Sequence, residues 1–209
     1  MKIMSAKRKI VVAFAALLLF AIIVFVLAYL LKKNSERDAT FRNDELSFAT
    51  IDYETDILAD PYYLRYSRNV IYNEYGNSEP LTKDNYRSFG DWAEFFYHYF
   101  ETVINGDYNT YKTFFTESYL KSHDLPEKFT MQRIYDINVE LFSRNTVEYN
   151  GATVPSSLYI VSYRIQYNNG TFRGDIISNT VRPLLFSLIN DNGTVKIYSI
   201  TQINYQGAE

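Results

Sequence analysis

Cysteine and histidine, which often serve as metal ligands or in nucleophilic catalysis, are scarce in this chain. It has no cysteine and two histidines, His98 and His123, so disulfides, thiolate metal sites and a cysteine nucleophile are excluded. Neither histidine stands in an H-E-x-x-H or paired spacing, which predicts no zinc site. The eight glycines form neither of the glycine-rich loops that hold nucleotide phosphates. We therefore predict no metal and no cofactor.

Acid–base chemistry is what remains open to this sequence. Asp136, Asp175 and Arg182, together with tyrosines such as Tyr135, could face the inside of a fold. A carboxylate buried in an apolar pocket has a raised pKa and can transfer protons. However, strand alternation places Asp136 opposite Tyr135 and Ile137, and most Asp side chains are exposed. Surface or turn carboxylates are therefore the alternative interpretation, and we assign no catalytic residue.

The densest aromatic stretch, "FFYHYFETVINGDYNTYKTFF" at residues 95–115, could form either a ligand pocket or a core. Side chains at helical spacing predict one buried face of a helix. We interpret the residues of this face as the spine of the core: Trp92, Phe96, Phe100 and Val103. Three neighbours remain candidates for a pocket mouth or an interface: Tyr97, His98 and Tyr99.

Charge divides the chain into two parts. Residues 1–37 carry seven basic side chains and one acidic side chain, whereas the remainder carries 14 basic and 23 acidic side chains. A domain this acidic is a poor ligand for nucleic acid, because neutralising phosphates needs clustered Lys and Arg. We therefore exclude nucleic acid as a partner.

Residues 10–31 predict a signal-anchor. They contain no charged side chain, and at about 1.5 Å per residue they would span the roughly 30 Å hydrocarbon core of a bilayer. The run is longer than the apolar part of a signal peptide and ends without a small-x-small site, so we expect an uncleaved transmembrane helix. Basic side chains concentrate on its amino side. This places residues 1–9 in the cytoplasm and the C-terminal domain outside a bacterial cytoplasmic membrane.

The residues that follow the anchor change character twice. Residues 32–50 are polar and predict a tether. Residues 51–87 are aromatic but interrupted by Pro61, Gly76 and Pro80, so they either pack on the domain as an extension or become ordered against a partner. Five tyrosines in this segment are of the kind enriched at interfaces: Tyr62, Tyr63, Tyr66, Tyr72 and Tyr75.

The remaining residues, 88–206, predict an α+β domain. A helix capped by Ser88 or Asp91 ends at Asn105-Gly106, and one or two short helices follow it. After Pro126 the apolar period changes to two, which predicts antiparallel strands near residues 131–143, 157–168, 171–190 and 194–205. Asn-Gly pairs predict hairpin turns at 150–151, 169–170 and 192–193.

This arrangement resembles the nuclear transport factor 2-like superfamily, in which a curved antiparallel sheet wraps around an N-terminal helix to form a cone. The resemblance rests on the helix closing on "INGDYNTYKTFF", on the strands 157–168 and 171–190, and on the final hairpin "LLFSLINDNGTVKIYSI". It covers roughly residues 88–206 and implies a cone-like fold without specifying one activity. Relatives such as ketosteroid isomerases and polyketide cyclases use Asp, His or Tyr inside the cavity.

The layout of tail, single membrane helix, tether and external cone also resembles the membrane-anchored subunits of conjugation and type IV secretion machines. Those subunits self-associate and contact other channel components. We therefore expect an assembly or scaffold protein, not an enzyme, whose partners are the membrane, other envelope proteins and itself. The alternative is a protein of the same fold that binds a small apolar ligand or acts as an acid–base enzyme. A deep cavity containing Asp136, Asp175 or Arg182 would favour that alternative.

Overall fold

The computed structural model of the protein describes residues 47–203, and one compact unit begins at Phe48. In this part of the chain, no helix is long and apolar enough to cross a bilayer. The predicted tail 1–9, the predicted membrane helix 10–31 and most of the predicted tether lie outside the described residues.

The compact unit is an α+β domain whose helices come in two sizes. One long helix packs on the sheet, and two short helices follow it: α1 (Asp91–Ile104), α2 (Tyr108–Lys112) and α3 (Glu117–Ser122). Three single-turn 3₁₀ helices precede them, at Ile57–Ala59, Tyr63–Arg65 and Tyr86–Phe89.

The six described strands form one sheet in the order β2-β1-β3-β4-β5-β6. Their bounds are β1 (Val70–Glu74), β2 (Asn77–Leu81), β3 (Ile134–Tyr149), β4 (Ala152–Ile165), β5 (Leu184–Asp191) and β6 (Thr194–Gln202). The β3–β4 and β5–β6 hairpins turn at Asn150-Gly151 and Asn192-Gly193, whose positive φ angles suit two-residue turns.

The sheet is mixed, which corrects the prediction of a purely antiparallel sheet. β1 pairs in parallel with β3, with Val70 opposite Ile137, and in antiparallel with β2. Both extra strands lie within residues 51–87, so this segment contributes an edge of the sheet. The parallel pair forms because the buried side chains of Val70 and Tyr72 continue the apolar face of β3.

Gly90, not the predicted Ser88 or Asp91, is the N-cap of α1 and has a positive φ, and Asp91 and Glu94 occupy the first turn of the helix. Carboxylates at this position favour the positive end of the helix dipole. The helix ends at Asn105, and Gly106 follows with φ +67°. Of the predicted spine, Phe96, Phe100 and Val103 are fully buried, whereas Trp92 is partly buried at the margin of the core.

The core lies between α1 and the sheet and is largely aromatic. Its largest fully buried side chains are Tyr63, Tyr99, Tyr159, Phe96, Phe100, Phe129 and Phe186. The segment between α2 and α3 extends this core to the edge strand β6, because Thr116 N donates to Ile197 O at 3.0 Å and Ile197 N donates to Phe114 O at 2.7 Å.

Residues 166–183 form a long loop between β4 and β5, where the sequence predicted a hairpin turn and a strand from residue 171. Hydrogen bonds from side chains, and not pairing between strands, hold this loop in place. The Asn168 amide donates to Arg173 O and Ile176 O, both at 2.8 Å, and Gly170 N donates back to Asn168 Oδ1 at 3.0 Å. Asn169-Gly170 is a bend inside the loop and joins no two strands.

Candidate functional site

The structure distributes the seven predicted pocket or interface residues over four places. Tyr99 is in the core at 2% exposure. The other six lie on the outer face of α1 (Tyr97, His98), at the start of β3 (Tyr135, Asp136) and in the loop 166–183 (Asp175, Arg182). The predicted residues therefore do not converge on one cavity.

Tyr97 and His98 sit on the partly exposed face of α1. The Tyr97 ring stacks on Tyr86, with centroids 4.3 Å apart and planes 4° apart. The His98 ring lies between two carboxylates of its own helix, 3.7 Å from Glu94 and 3.4 Å from Glu101. Burial, followed by the charge of Glu101, raises the pKa of the Tyr97 hydroxyl.

Tyr135 and Asp136 point to different surroundings. Tyr135 is buried, its ring lies 4.4 Å from that of Tyr66, and its hydroxyl donates to Asn179 Oδ1 at 3.0 Å. Asp136 has a positive φ of 51° at a bulge in β3, and its carboxylate lies 3.5 Å from Arg164 in an exposed ion pair. The bulge turns Asp136 outward, so it is not an acid inside the fold.

Asp175 forms a bidentate ion pair with Arg173, a residue that the sequence did not single out. Arg173 Nε and Nη2 donate to its two carboxylate oxygens at 2.5 and 2.8 Å, and Arg173 Nη1 donates to the buried Tyr163 hydroxyl at 2.9 Å. Burial acts to raise the pKa of Asp175, but the hydrogen bonds and charge of Arg173 outweigh it and hold the pKa below its usual range. A general acid needs the opposite shift.

Arg182 completes this cluster from the outside. Its Nη1 lies 3.7 Å from Asp175 Oδ2, and Gln202 Nε2 donates to the same oxygen at 3.1 Å. Both carboxylate oxygens of Asp175 therefore accept hydrogen bonds from donors of the same chain. We interpret the contacts among Arg173, Asp175 and Arg182 as the interactions that hold the 166–183 loop in place.

The space between α1 and the sheet is occupied by aromatic side chains of the domain. Three rings of α1 meet three rings of the sheet edge-on or tilted, at centroid separations of 4.9 to 5.5 Å: Phe96 with Tyr159, Tyr99 with Phe186, and Phe100 with Tyr163. Such contacts stabilise a core beyond simple burial of area. An interior filled in this way counts against an internal ligand site.

A groove of about 480 Å³ opens on the outer side of this core. It runs between α1 and two connecting segments, residues 66–70 and 81–83. Its apolar wall comes from buried side chains, and its polar margin from exposed or partly exposed ones. Its lining includes Arg68, Val70, Leu81, Lys83, Phe100 and Ile104.

Beside the groove, residues 62–66 present an aromatic rim, which we define as Tyr62, Leu64 and Tyr66. Their side chains are exposed at 65%, 44% and 40%. Tyr63, between them, points the opposite way: it is buried, and its hydroxyl donates to Ile134 O at 2.7 Å. This inward anchor fixes the single 3₁₀ turn and so holds the rim outward.

Positive charge accompanies the rim and the groove. The Arg65 guanidinium lies 5.1 Å from the centre of the Tyr62 ring, and within residues 47–203 no carboxylate lies at ion-pair distance from Arg65, Arg68 or Lys83. Tyr and Arg are the residue types enriched in the energetically dominant part of protein interfaces. The rim and the groove together form the candidate site.

Of the five tyrosines that the sequence assigned to an interface, three are exposed and two are not. Tyr62, Tyr66 and Tyr75 are exposed, whereas Tyr63 and Tyr72 are buried at 0% and 3%. Successive residues of a strand face opposite ways, and adjacent residues of a 3₁₀ turn also point in different directions. Composition alone could not distinguish them.

Neither metal-binding side chains nor similarities to known proteins indicate a further site in the described part of the chain. Across residues 47–203, no group of three or more His, Asp or Glu side chains is arranged to hold a metal ion. No family model, no curated protein sequence and no solved structure matches this chain. The resemblance to the nuclear transport factor 2-like superfamily therefore stays a prediction.

Proposed function

We propose that this protein is a single-pass, membrane-anchored scaffold whose domain outside the bacterial cytoplasmic membrane assembles with envelope proteins through the aromatic rim and the groove. The observation that carries the proposal is the exposure of Tyr62, Leu64 and Tyr66 next to a groove whose lining includes Tyr66, Arg68 and Lys83. Exposed side chains of these types at the edge of a concave apolar surface are typical of protein-binding sites.

The anchor in this proposal is the uncharged segment 10–31. Its length suits the hydrocarbon core, and the excess of Lys and Arg on its amino side favours a cytoplasmic N-terminus. An anchor confines the domain to the membrane surface, which raises the effective concentration of any partner held on the same membrane.

We further propose that the domain is cone-like and belongs with the nuclear transport factor 2-like folds, as an assembly subunit of a conjugation- or secretion-type complex. A long aromatic helix packed against one face of a sheet that ends in two Asn-Gly hairpins supports this view. The parallel β1–β3 pair would then be an addition specific to this chain. The functional part of the analogy rests on fold alone.

Site-specific photo-crosslinking in cells tests the proposed role of the rim. A photoreactive amino acid replaces Leu64 in one full-length chain and Leu120 in a matched control, because these leucines are exposed to nearly the same degree, 44% and 42%, on different surfaces. We expect a discrete adduct with another polypeptide from position 64 and none from position 120. Equal adducts from both positions, or recovery of only the monomer from positions 62, 64 and 66, would overturn the proposal.

A further inference from the structure

The exposed surface also contains a segment whose chemistry complements the groove. Residues 51–56, "IDYETD", are all exposed, and they alternate two apolar side chains, Ile51 and Tyr53, with the carboxylates of Asp52, Glu54 and Asp56. We call them the acidic segment. Apolar side chains flanked by carboxylates are what an apolar groove bordered by cations would bind.

We propose that the occupant of the groove is the acidic segment of a second copy of this chain. This inference rests on the proposed assembly function and names its partner. Ile51 or Tyr53 of one copy would enter the apolar wall formed by Val70, Leu81 and Ile104 of the other. Arg68 and Lys83 would face Asp52 and Glu54.

The charges around both surfaces set the direction of the contact. Among the side chains that line the groove, Arg68 and Lys83 outnumber the one carboxylate, Glu101, which is already turned towards His98 at 3.4 Å. At the acidic segment, the three carboxylates are accompanied by Lys128, which lies over the Tyr53 ring at 4.0 Å. Arg133 lies nearby but is paired with Asp60 at 3.0 Å. The two surfaces are therefore opposite in net charge, within a domain that is acidic as a whole.

The acidic segment borders a different cavity of its own domain, whose lining includes Asp52, Thr55 and Arg133. The Asp52 carboxylate accepts from the backbone N–H of Glu54 at 2.8 Å and of Thr55 at 3.3 Å, and Asp56 Oδ1 accepts from Leu58 N at 2.9 Å. These bonds fix the turn of the segment and leave its apolar side chains exposed for contact with another copy. Each copy carries both halves of the contact, which allows a reciprocal, two-fold arrangement.

Because the chain has no cysteine, single engineered cysteines report the contact directly. Full-length Glu54→Cys with one affinity tag and full-length Thr82→Cys with another are produced in the same membranes and oxidised. A disulfide forms only when the two Cα atoms approach to about 7 Å or less. The control pairs Glu54→Cys with Lys121→Cys, an exposed position on α3. We expect a mixed-tag adduct for positions 54 and 82 and none for positions 54 and 121.

Charge reversal separates specific docking from random collision. Arg68→Glu with Lys83→Glu, added to the Thr82→Cys chain, should lower the yield of the adduct about tenfold or more, because like charges would face each other. The milder Arg68→Gln with Lys83→Gln should lower it in the same direction, and Lys112→Glu with Lys121→Glu should leave it unchanged. Fluorescence of Trp92, the only tryptophan, verifies that each variant is folded.

The outcomes distinguish this inference from the function on which it rests. No adduct between positions 54 and 82, an equal adduct in the control pair, or an adduct that survives charge reversal would overturn docking between copies. If, in that case, position 64 still crosslinks to a different polypeptide, the assembly function stands and its partner is another protein. If position 64 yields no adduct either, both proposals fail.

Discussion

The hydroxyl oxygens of Tyr72 and Tyr159 lie 2.8 Å apart in the interior of the domain. Tyr72 donates its one proton to Glu74 Oε2, also at 2.8 Å, so Tyr159 must be the donor to Tyr72. Burial raises the pKa of Tyr72 far above its usual value and the pKa of Tyr159 to about 12, so both hydroxyls are protonated at neutral pH. This chain of bonds joins β1 to the centre of β4 and extends through Glu74 to Arg144.

The direction of these hydrogen bonds predicts that removing the Tyr72 hydroxyl lowers the stability more than removing the Tyr159 hydroxyl. Tyr72→Phe leaves the Tyr159 O–H buried without an acceptor and should lower the free energy of unfolding by about 1–3 kcal/mol. Tyr159→Phe leaves the bond from Tyr72 to Glu74 intact and should cost about 0.5–1.5 kcal/mol. Chemical unfolding of the full-length chain in detergent, followed by Trp92 fluorescence, measures both. The opposite order would contradict the assigned donor.

The ion pair of Arg173 and Asp175 should contribute more stability than its neighbour Arg182. Arg173 is 9% exposed, so Asp175→Asn leaves a buried guanidinium without its counter-charge, which should cost about 3 kcal/mol of unfolding free energy. Arg182 is 40% exposed, and Arg182→Met should cost less than about 1 kcal/mol. Similar losses in both variants would show that the loop does not depend on the Arg173 pair.

The lowered pKa of Asp175 predicts a loss of stability in acid. Because this pKa is lower in the folded chain, the contribution of the carboxylate is complete above its unfolded pKa of about 3.9 and is lost as the pH falls through the folded value. The difference in unfolding free energy between the original chain and Asp175→Asn should therefore stay constant down to about pH 4 and shrink as the pH falls further. Asp52 and Asp107 shift in the same direction but cancel in this difference. A difference that stays constant would exclude Asp175 as the titrating group.

Periodicity predicted the parts of the fold whose contacts are local. The aromatic stripe of α1, its end at Asn105-Gly106 and the hairpins at Asn150-Gly151 and Asn192-Gly193 all follow from residue spacing and turn chemistry. The β1–β2 hairpin was missed because its turn is Tyr75-Gly76, in which tyrosine occupies the left-handed position that usually takes Asn or Gly. Its parallel partner β3 lies about sixty residues further along the chain, beyond any local pattern.

The candidate site was predictable in composition but not in geometry. The tyrosines and arginines of residues 62–68 were visible in the sequence, yet only the bond from Tyr63 to Ile134 O determines which tyrosines face outward. The groove joins residues 66–70, residues 81–83 and α1, which no spacing connects. The loop 166–183 was wrongly predicted to contain a strand. Arg173 is buried there through its pairing with Asp175 and Tyr163, which apolar periodicity does not reveal.

Gly106, which follows α1, should be harder to replace than Gly193 in the turn between β5 and β6. Gly106 has φ +67°, and a Cβ there would lie 2.8 Å from Met131 N and 3.0 Å from Thr130 C. Because both obstacles are backbone atoms of the segment that leads into β3, Gly106→Ala combines backbone strain with a steric clash and should cost about 3 kcal/mol or more. Gly193 has a similar φ of +84° but no heavy atom within 4 Å of the added carbon, so Gly193→Ala should cost only about 1–2 kcal/mol. Unfolding of the two full-length variants, monitored at Trp92, gives the comparison. Equal costs would mean that the segment leading into β3 packs against Gly106 more loosely than these distances indicate.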